Sequence, residues 1–202
     1  MIKTVETMTQ TAAIAEKIPP RERILAAATE LFYRHGIRAV GVEAIAEAAE
    51  TNKMTLYRHF ASKDELVAEY LRTLFCEKDL IWQKLVAKHP DDPHAQLMGW
   101  LQLVAANVAD PQSRGCAIAN AAVELPEKDH PARKVIEDCK RKSREGLVAL
   151  CRKANLAEPE LLADQLFMLL EGAFVSRQSV GDHGPACQFV RAGQSLINAA
   201  AR

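Results

Sequence analysis

Apolar residues in this chain recur every three or four positions, and prolines mark where the runs begin. That pairing restricts the fold more than any other feature. Pro19 and Pro20 precede a run of Ile24, Ala27, Ala28, Leu31 and Phe32, and Gly36 ends it. Pro93, Pro131 and Pro159 each stand near the start of a later run, and Pro185 opens the last. A proline in the first turn of a helix lacks only an N–H that would have no helical partner there. Spacing of three to four places the apolar side chains on one helical face. No strand alternation or internal repeat competes. The chain is 49% apolar but only 5% aromatic, rich in Ala and Leu, which also favours helix. The expectation is an all-α fold of about nine helices.

Between Gly36 and Phe60 the helices are short. Gly41 can cap one whose Val42, Ile45, Ala46 and Ala49 face inwards. After "ETN" a second short run has Leu56 and Phe60 on one side. "SKDE" at 62–65 then reads as a capping box, in which Ser62 accepts from the Glu65 N–H and Glu65 reaches back. It opens a long helix over 63–88. Beyond the break "KHPDDPH" at 88–94, helices are expected over about 93–109, 116–124, 131–154, 159–179 and 185–200. The division expected is a polar, mobile arm at 1–17, a first domain at 18–78 with its helix-turn-helix at 41–60, and a second domain at 79–202.

Net charge is zero over 202 residues, which argues against a general polyanion coat. The distribution says more. From Thr51 to Lys63 there are Lys53, Arg58 and Lys63, with His59, and no acid. Three short helices followed by a capped long one form a helix-turn-helix layout, whose second helix can lie in the major groove. A local cationic face on a neutral body suits a selective DNA binder. No metal-ligand pattern, phosphate loop or nucleophile motif points to an enzyme, and no metal or cofactor is expected. No apolar stretch reaches the roughly 18 residues of a membrane span, and the N-terminus lacks a signal-peptide core. The expected location is cytoplasmic. The five cysteines are scattered without C-x-x-C spacing and read as small buried hydrophobes.

The pattern "RILAAATELFYRHG…V..IAEAA….TLYRHFASKDELV" resembles the N-terminal domain of the TetR family of transcriptional repressors, over roughly residues 20–72. The resemblance implies an all-helical homodimer. Its N-terminal domain would bind a palindromic double-stranded operator, and its larger C-terminal domain would bind a small effector and form the dimer interface. Carried onto this chain, it puts Lys53, Thr55, Tyr57 and His59 on the DNA-facing helix and Lys63 on a phosphate; Arg58 reads equally as a phosphate contact or a solvated side chain. Two positions depart from the pattern. The turn, usually A-G-V-S, is Ala49-Glu50-Thr51-Asn52, and Gly41 stands where Ser or Thr is common. Glu43 would repel phosphate if it faced DNA.

The resemblance gives the second domain an architecture but no ligand. The 159–179 run is apolar nearly all round, so it needs cover on several sides. Core on one side and a second subunit on the other would supply it. Expected interface residues are Phe167, Leu170, Phe174, Phe189, Val190, Leu196 and Ile197, with Gly172, Ala173 and Gly193 allowing close approach. Candidate effector contacts are Phe75, Trp82, Trp100 and Phe167, together with the polar residues Asn120, Glu124 and Glu171 set within apolar patterns. The long helix joins both domains and is the natural lever. A thiol-sensing regulator triggered at Cys116 or Cys139 is the alternative reading.

Overall fold

The computed structural model describes residues 18–201; the expected arm at 1–17 lies outside them. Among the described residues the chain forms α1 (Pro20–His35), α2 (Val42–Ala48), α3 (Lys53–His59), α4 (Lys63–Lys88), α5 (Pro93–Ala109), α6 (Ala117–Glu124), α7 (Pro131–Lys153), α8 (Pro159–Val180) and α9 (Phe189–Ala199). A 3-10 turn, Pro185–Gln188, precedes α9, so the last helix starts later than Pro185 suggested. No described residue is in a strand. The fold is all-α, as expected.

Two compact units meet between Tyr70 and Leu71, inside α4. The expected division at 78/79 lies further along the same helix. The burial pattern gives the reason. Leu66, Val67, Ala68, Tyr70 and Leu71 are sealed from solvent, whereas residues 72–84 are all at least partly exposed, so the burial changes next to the boundary.

In the first unit, Ile24, Ala28 and Phe32 of α1 share a core with Val42, Ile45 and Ala46 of α2, Leu56 of α3, and Leu66 and Tyr70 of α4. Each fully buried Leu or Ile side chain contributes about 1.5–3 kcal/mol by leaving water. Phe32 and Tyr70 meet at 5.6 Å in a tilted pair. Arg21 pairs with Glu69 at 2.6 Å and lies 5.2 Å over the Phe60 ring, which ties the start of α1 to α4.

In the second unit, Leu97, Trp100, Leu101 and Val104 of α5 pack with Leu147, Val148 and Cys151 of α7, Leu162, Ala163 and Leu166 of α8, and Phe189 and Ile197 of α9. The α9 backbone passes over Leu101 at Gly193, where any Cβ would collide with that side chain. Gly193 therefore serves close packing within the chain. Gln96, buried among apolar residues, donates to the Val86 and His89 carbonyls. Asp92 accepts from the Ala95 N–H at 2.8 Å. The "KHPDDPH" break is thus a capped turn between α4 and α5.

Candidate nucleic-acid interface

The turn between α2 and α3 is built from local rules. Ala49 ends α2, and Glu50 follows at φ 50°, in the left-handed region. The Thr51 N–H reaches back to the Ala46 carbonyl at 2.9 Å, and the Glu50 N–H to that of Glu47 at 3.0 Å. This is the Schellman closure, which normally uses glycine because a Cβ strains the left-handed residue. Asn52 then caps α3 by accepting from the Thr55 N–H at 2.9 Å. Leu56 and Phe60 are buried and hold α3 onto the unit. One helical face is thereby fixed inwards and the other is left outside.

That outer face carries the cluster expected from the sequence. Lys53, Tyr57, Arg58 and His59 are exposed, and Thr55 is half-buried in the first turn. The sequence reading missed Met54, which is 81% exposed. It lies two residues before Leu56, roughly 200° around the helix from the packed side. That offset from the Leu56/Phe60 stripe was the signal available. An exposed apolar side chain at a recognition helix N-terminus has a natural partner in a thymine methyl group.

The electrostatics differ from those of a bare basic patch. Lys53 Nζ lies 2.6 Å from Glu43 of α2. Their hydrogen bond is the main cause of the Glu43 carboxyl being held below its ordinary pKa and the Lys53 ammonium above it. Glu43 is therefore on the same side as Lys53 and occupies it. Lys63 Nζ donates to the Ile37 carbonyl at 2.6 Å and sits 5.9 Å over the Phe32 ring. It closes the α1–α2 loop onto the start of α4, where Ser62 accepts from the Glu65 N–H at 3.1 Å. Gly41 precedes α2 with extended backbone and makes no side-chain cap.

This unit matches the family model for bacterial regulatory proteins of the tetR family over residues 24–70. A transcriptional repressor, DhaR from Mycobacterium sp. (strain GP1), is 27% identical over 183 residues, covering 86% of this chain and 90% of that one. A solved TetR-type regulator from Streptomyces avermitilis is 29% identical, with a TM-score of 0.78 over 91% of this chain and 98% of that one. The chain belongs to the TetR family. A second TetR-family structure, from Streptomyces coelicolor, superposes at TM-score 0.81 with 23% identity, covering 91% and 96% of the two chains. That one shows the shared fold. The protein is thus a TetR-family transcriptional regulator with a DNA-binding helix-turn-helix. No helix among the described residues is long and apolar enough to cross a membrane.

In the second unit of this TetR-family chain the expected residues scatter. Trp100 is 7% exposed and packs on Phe189 at 6.1 Å, within the core. Phe189 and Ile197 are sealed in the same core, at 2% and 0% exposure, and Phe189 packs on Trp100 of α5. Phe167, Leu170, Phe174, Val190 and Leu196 are partly covered by that core. Trp82 borders an open depression of about 350 Å³ with Gln83, Val86, Ala87 and Pro90. Phe75, half-buried, lies under the Lys142 ammonium at 5.2 Å.

None of the three polar residues is buried. Asn120 donates to the Arg114 carbonyl at 2.8 Å, a local backbone bond. Glu171 pairs with Lys140 at 2.5 Å. Glu124, at the end of α6, is half-exposed. The cysteines also divide. Cys139 and Cys151 are buried, and burial pushes both thiols up, Cys151 to about 11. Cys76 and Cys187 are exposed, contrary to the expectation that all five are buried.

Proposed function

We propose that the protein is a homodimeric repressor that binds a palindromic DNA operator and is released by a small effector bound in the second unit. The observation that carries this reading is α3 itself: capped by Asn52, seated by Leu56 and Phe60, with Lys53, Met54, Thr55, Tyr57, Arg58 and His59 on its free side. Tyr57, Arg58 and His59 supply donors for phosphate oxygens, and the first-turn residues supply base contacts. Lys63, at the N-terminus of α4, adds an ammonium where backbone N–H groups already favour an anion. The curated relative from Mycobacterium is named a repressor, which favours repression over activation.

Dimerisation is supported by α8. Leu161, Met168 and Val175 are 51%, 64% and 64% exposed along its outer side, and the space around the Gly172 α-carbon is empty. An apolar stripe of this kind is a natural subunit contact. A two-fold dimer would set two recognition helices about one DNA turn apart. The effector would favour a dimer state with the wrong spacing, and α4, continuous from one unit into the other, would transmit the change. The Trp82 depression is the candidate entry for an apolar effector. A cytoplasmic location follows from a DNA target.

Fluorescence anisotropy on duplexes from the flanks of the protein's own gene tests this. A specific duplex should bind at least about 1,000-fold more tightly than scrambled DNA at physiological salt. A ratio near one would leave only a non-specific binder.

A further inference from the structure

An acid stands beside the leading end of α3. Glu43 lies in the first turn of α2, and its carboxylate accepts from Lys53 Nζ, on the first residue of α3, at 2.6 Å. The two side chains are 69% and 52% exposed, and an ion pair so open to water adds little to stability. It also puts a negative charge where phosphates approach, which weakens general attraction to DNA. Stability and non-specific binding therefore give no reason for it. Recognition does. Residues at the start of a recognition helix meet base edges, whereas Tyr57, Arg58 and His59 occupy the end of α3.

A base edge can answer a carboxylate with only one kind of group. The polar donors of the major groove are the amino groups of cytosine (N4) and adenine (N6); its other polar atoms accept. An ammonium needs those acceptors, best the O6 and N7 of guanine. Acceptor and donor adjoin within one base pair. Guanine O6 and cytosine N4 are hydrogen-bonded to each other, about 2.9 Å apart, close to the 2.6 Å between Lys53 Nζ and the Glu43 oxygen. A thymine–adenine pair keeps that order but gives the ammonium one acceptor beside a methyl group instead of two. Either pair reversed sets an amino group against the ammonium and a carbonyl oxygen against the carboxylate.

We infer that Glu43 is a specificity-determining residue: with Lys53 it reads one guanine–cytosine pair in each operator half-site, Lys53 donating to guanine O6 and N7 and Glu43 accepting from the cytosine N4 amino group. On other sequences the carboxylate meets no donor and repels phosphate, so Glu43 penalises the wrong site as well as rewarding the right one. The assignment rests on the DNA-reading role given to α3 above.

The test runs selection from a random duplex library in parallel on wild type, Glu43→Ala and Lys53→Met, each as the whole chain. Wild type should enrich a half-site containing one guanine–cytosine pair whose preference falls about tenfold in both variants, while the other positions keep theirs. The selected duplex is then rebuilt with N4-methylcytosine at that pair, which covers the major-groove N–H and leaves base pairing intact. Anisotropy should show about tenfold weaker binding by wild type and no change for Glu43→Ala. Four results overturn the role of Glu43 alone: every preference surviving Glu43→Ala, the two variants altering different base pairs, a shared pair other than guanine–cytosine, or methylation weakening both proteins alike. A wild type that enriches no motif overturns the DNA-reading role of α3, and this assignment with it.

Discussion

The two units use apolar surface in opposite ways. In the first unit the large apolar side chains of α1 and α2 turn inwards or are partly covered, and the large exposed ones on its helices, Met54 and Tyr57, sit together on α3. In the second unit α8 shows Leu161, Met168 and Val175 to solvent while burying Leu162, Ala163 and Leu166. One unit spends its exposed apolar atoms on a short, sharply aimed element. The other leaves a long stripe that asks for a protein partner. The contrast teaches that the DNA-facing site is set by local chain geometry, whereas the proposed dimer face depends on which side of an all-apolar helix the core happens to claim.

Substitutions can sharpen or break that contrast. Leu56→Ala should have the largest effect, about 3 kcal/mol of unfolding free energy read by urea denaturation, because a fully buried leucine leaves a cavity. Operator binding should fall with it, since α3 loses its seat. Met168→Glu should leave helicity by circular dichroism unchanged yet weaken dimerisation by about 2–3 kcal/mol in sedimentation analysis, because an unpaired carboxylate would enter an apolar contact. Unchanged self-association would remove α8 from the interface.

Glu43→Gln releases Lys53 from its ion pair. Non-specific DNA affinity should rise about fivefold at about 0.15 M salt, and the log–log salt slope should steepen by about one. Glu50→Gly should raise stability by about 1 kcal/mol in thermal unfolding, since φ is already positive there and the side chain only adds strain. Gly41→Ser should give the smallest gain, a few tenths of a kcal/mol, by capping α2. Room exists for it, because a Cβ would sit at ordinary contact, 3.5 Å from Glu43.

What could be read from the sequence follows the range of the interaction. Prolines placed helix starts well: α5 begins at Pro93, α7 at Pro131 and α8 at Pro159, where expected. Asn52 and Ser62 act over three residues, and both caps form. Glu50 was legible as strained if left-handed, and it is left-handed. Contacts between helices were not legible. Nothing in spacing announced that Glu43 would take Lys53, or that Lys140 would meet both Glu171 and Cys116. Periodicity failed on α8, because a helix apolar nearly all round has no phase to read. On α9 the apolar face was legible but not what covers it: Phe189 and Ile197 were expected at a partner surface while their own core covers them. The boundary inside α4 was hidden for a related reason, since a continuous helix shows no break in pattern where its burial changes.

The most direct test of the central claim is selection from a random duplex library with wild-type protein, read by sequencing. If α3 is the reading element of a two-fold dimer, the enriched duplexes should share a palindrome with half-site centres about one helical turn apart, and Tyr57→Ala should abolish the enrichment. Enrichment of a single asymmetric site, or enrichment that survives Tyr57→Ala, would contradict that account.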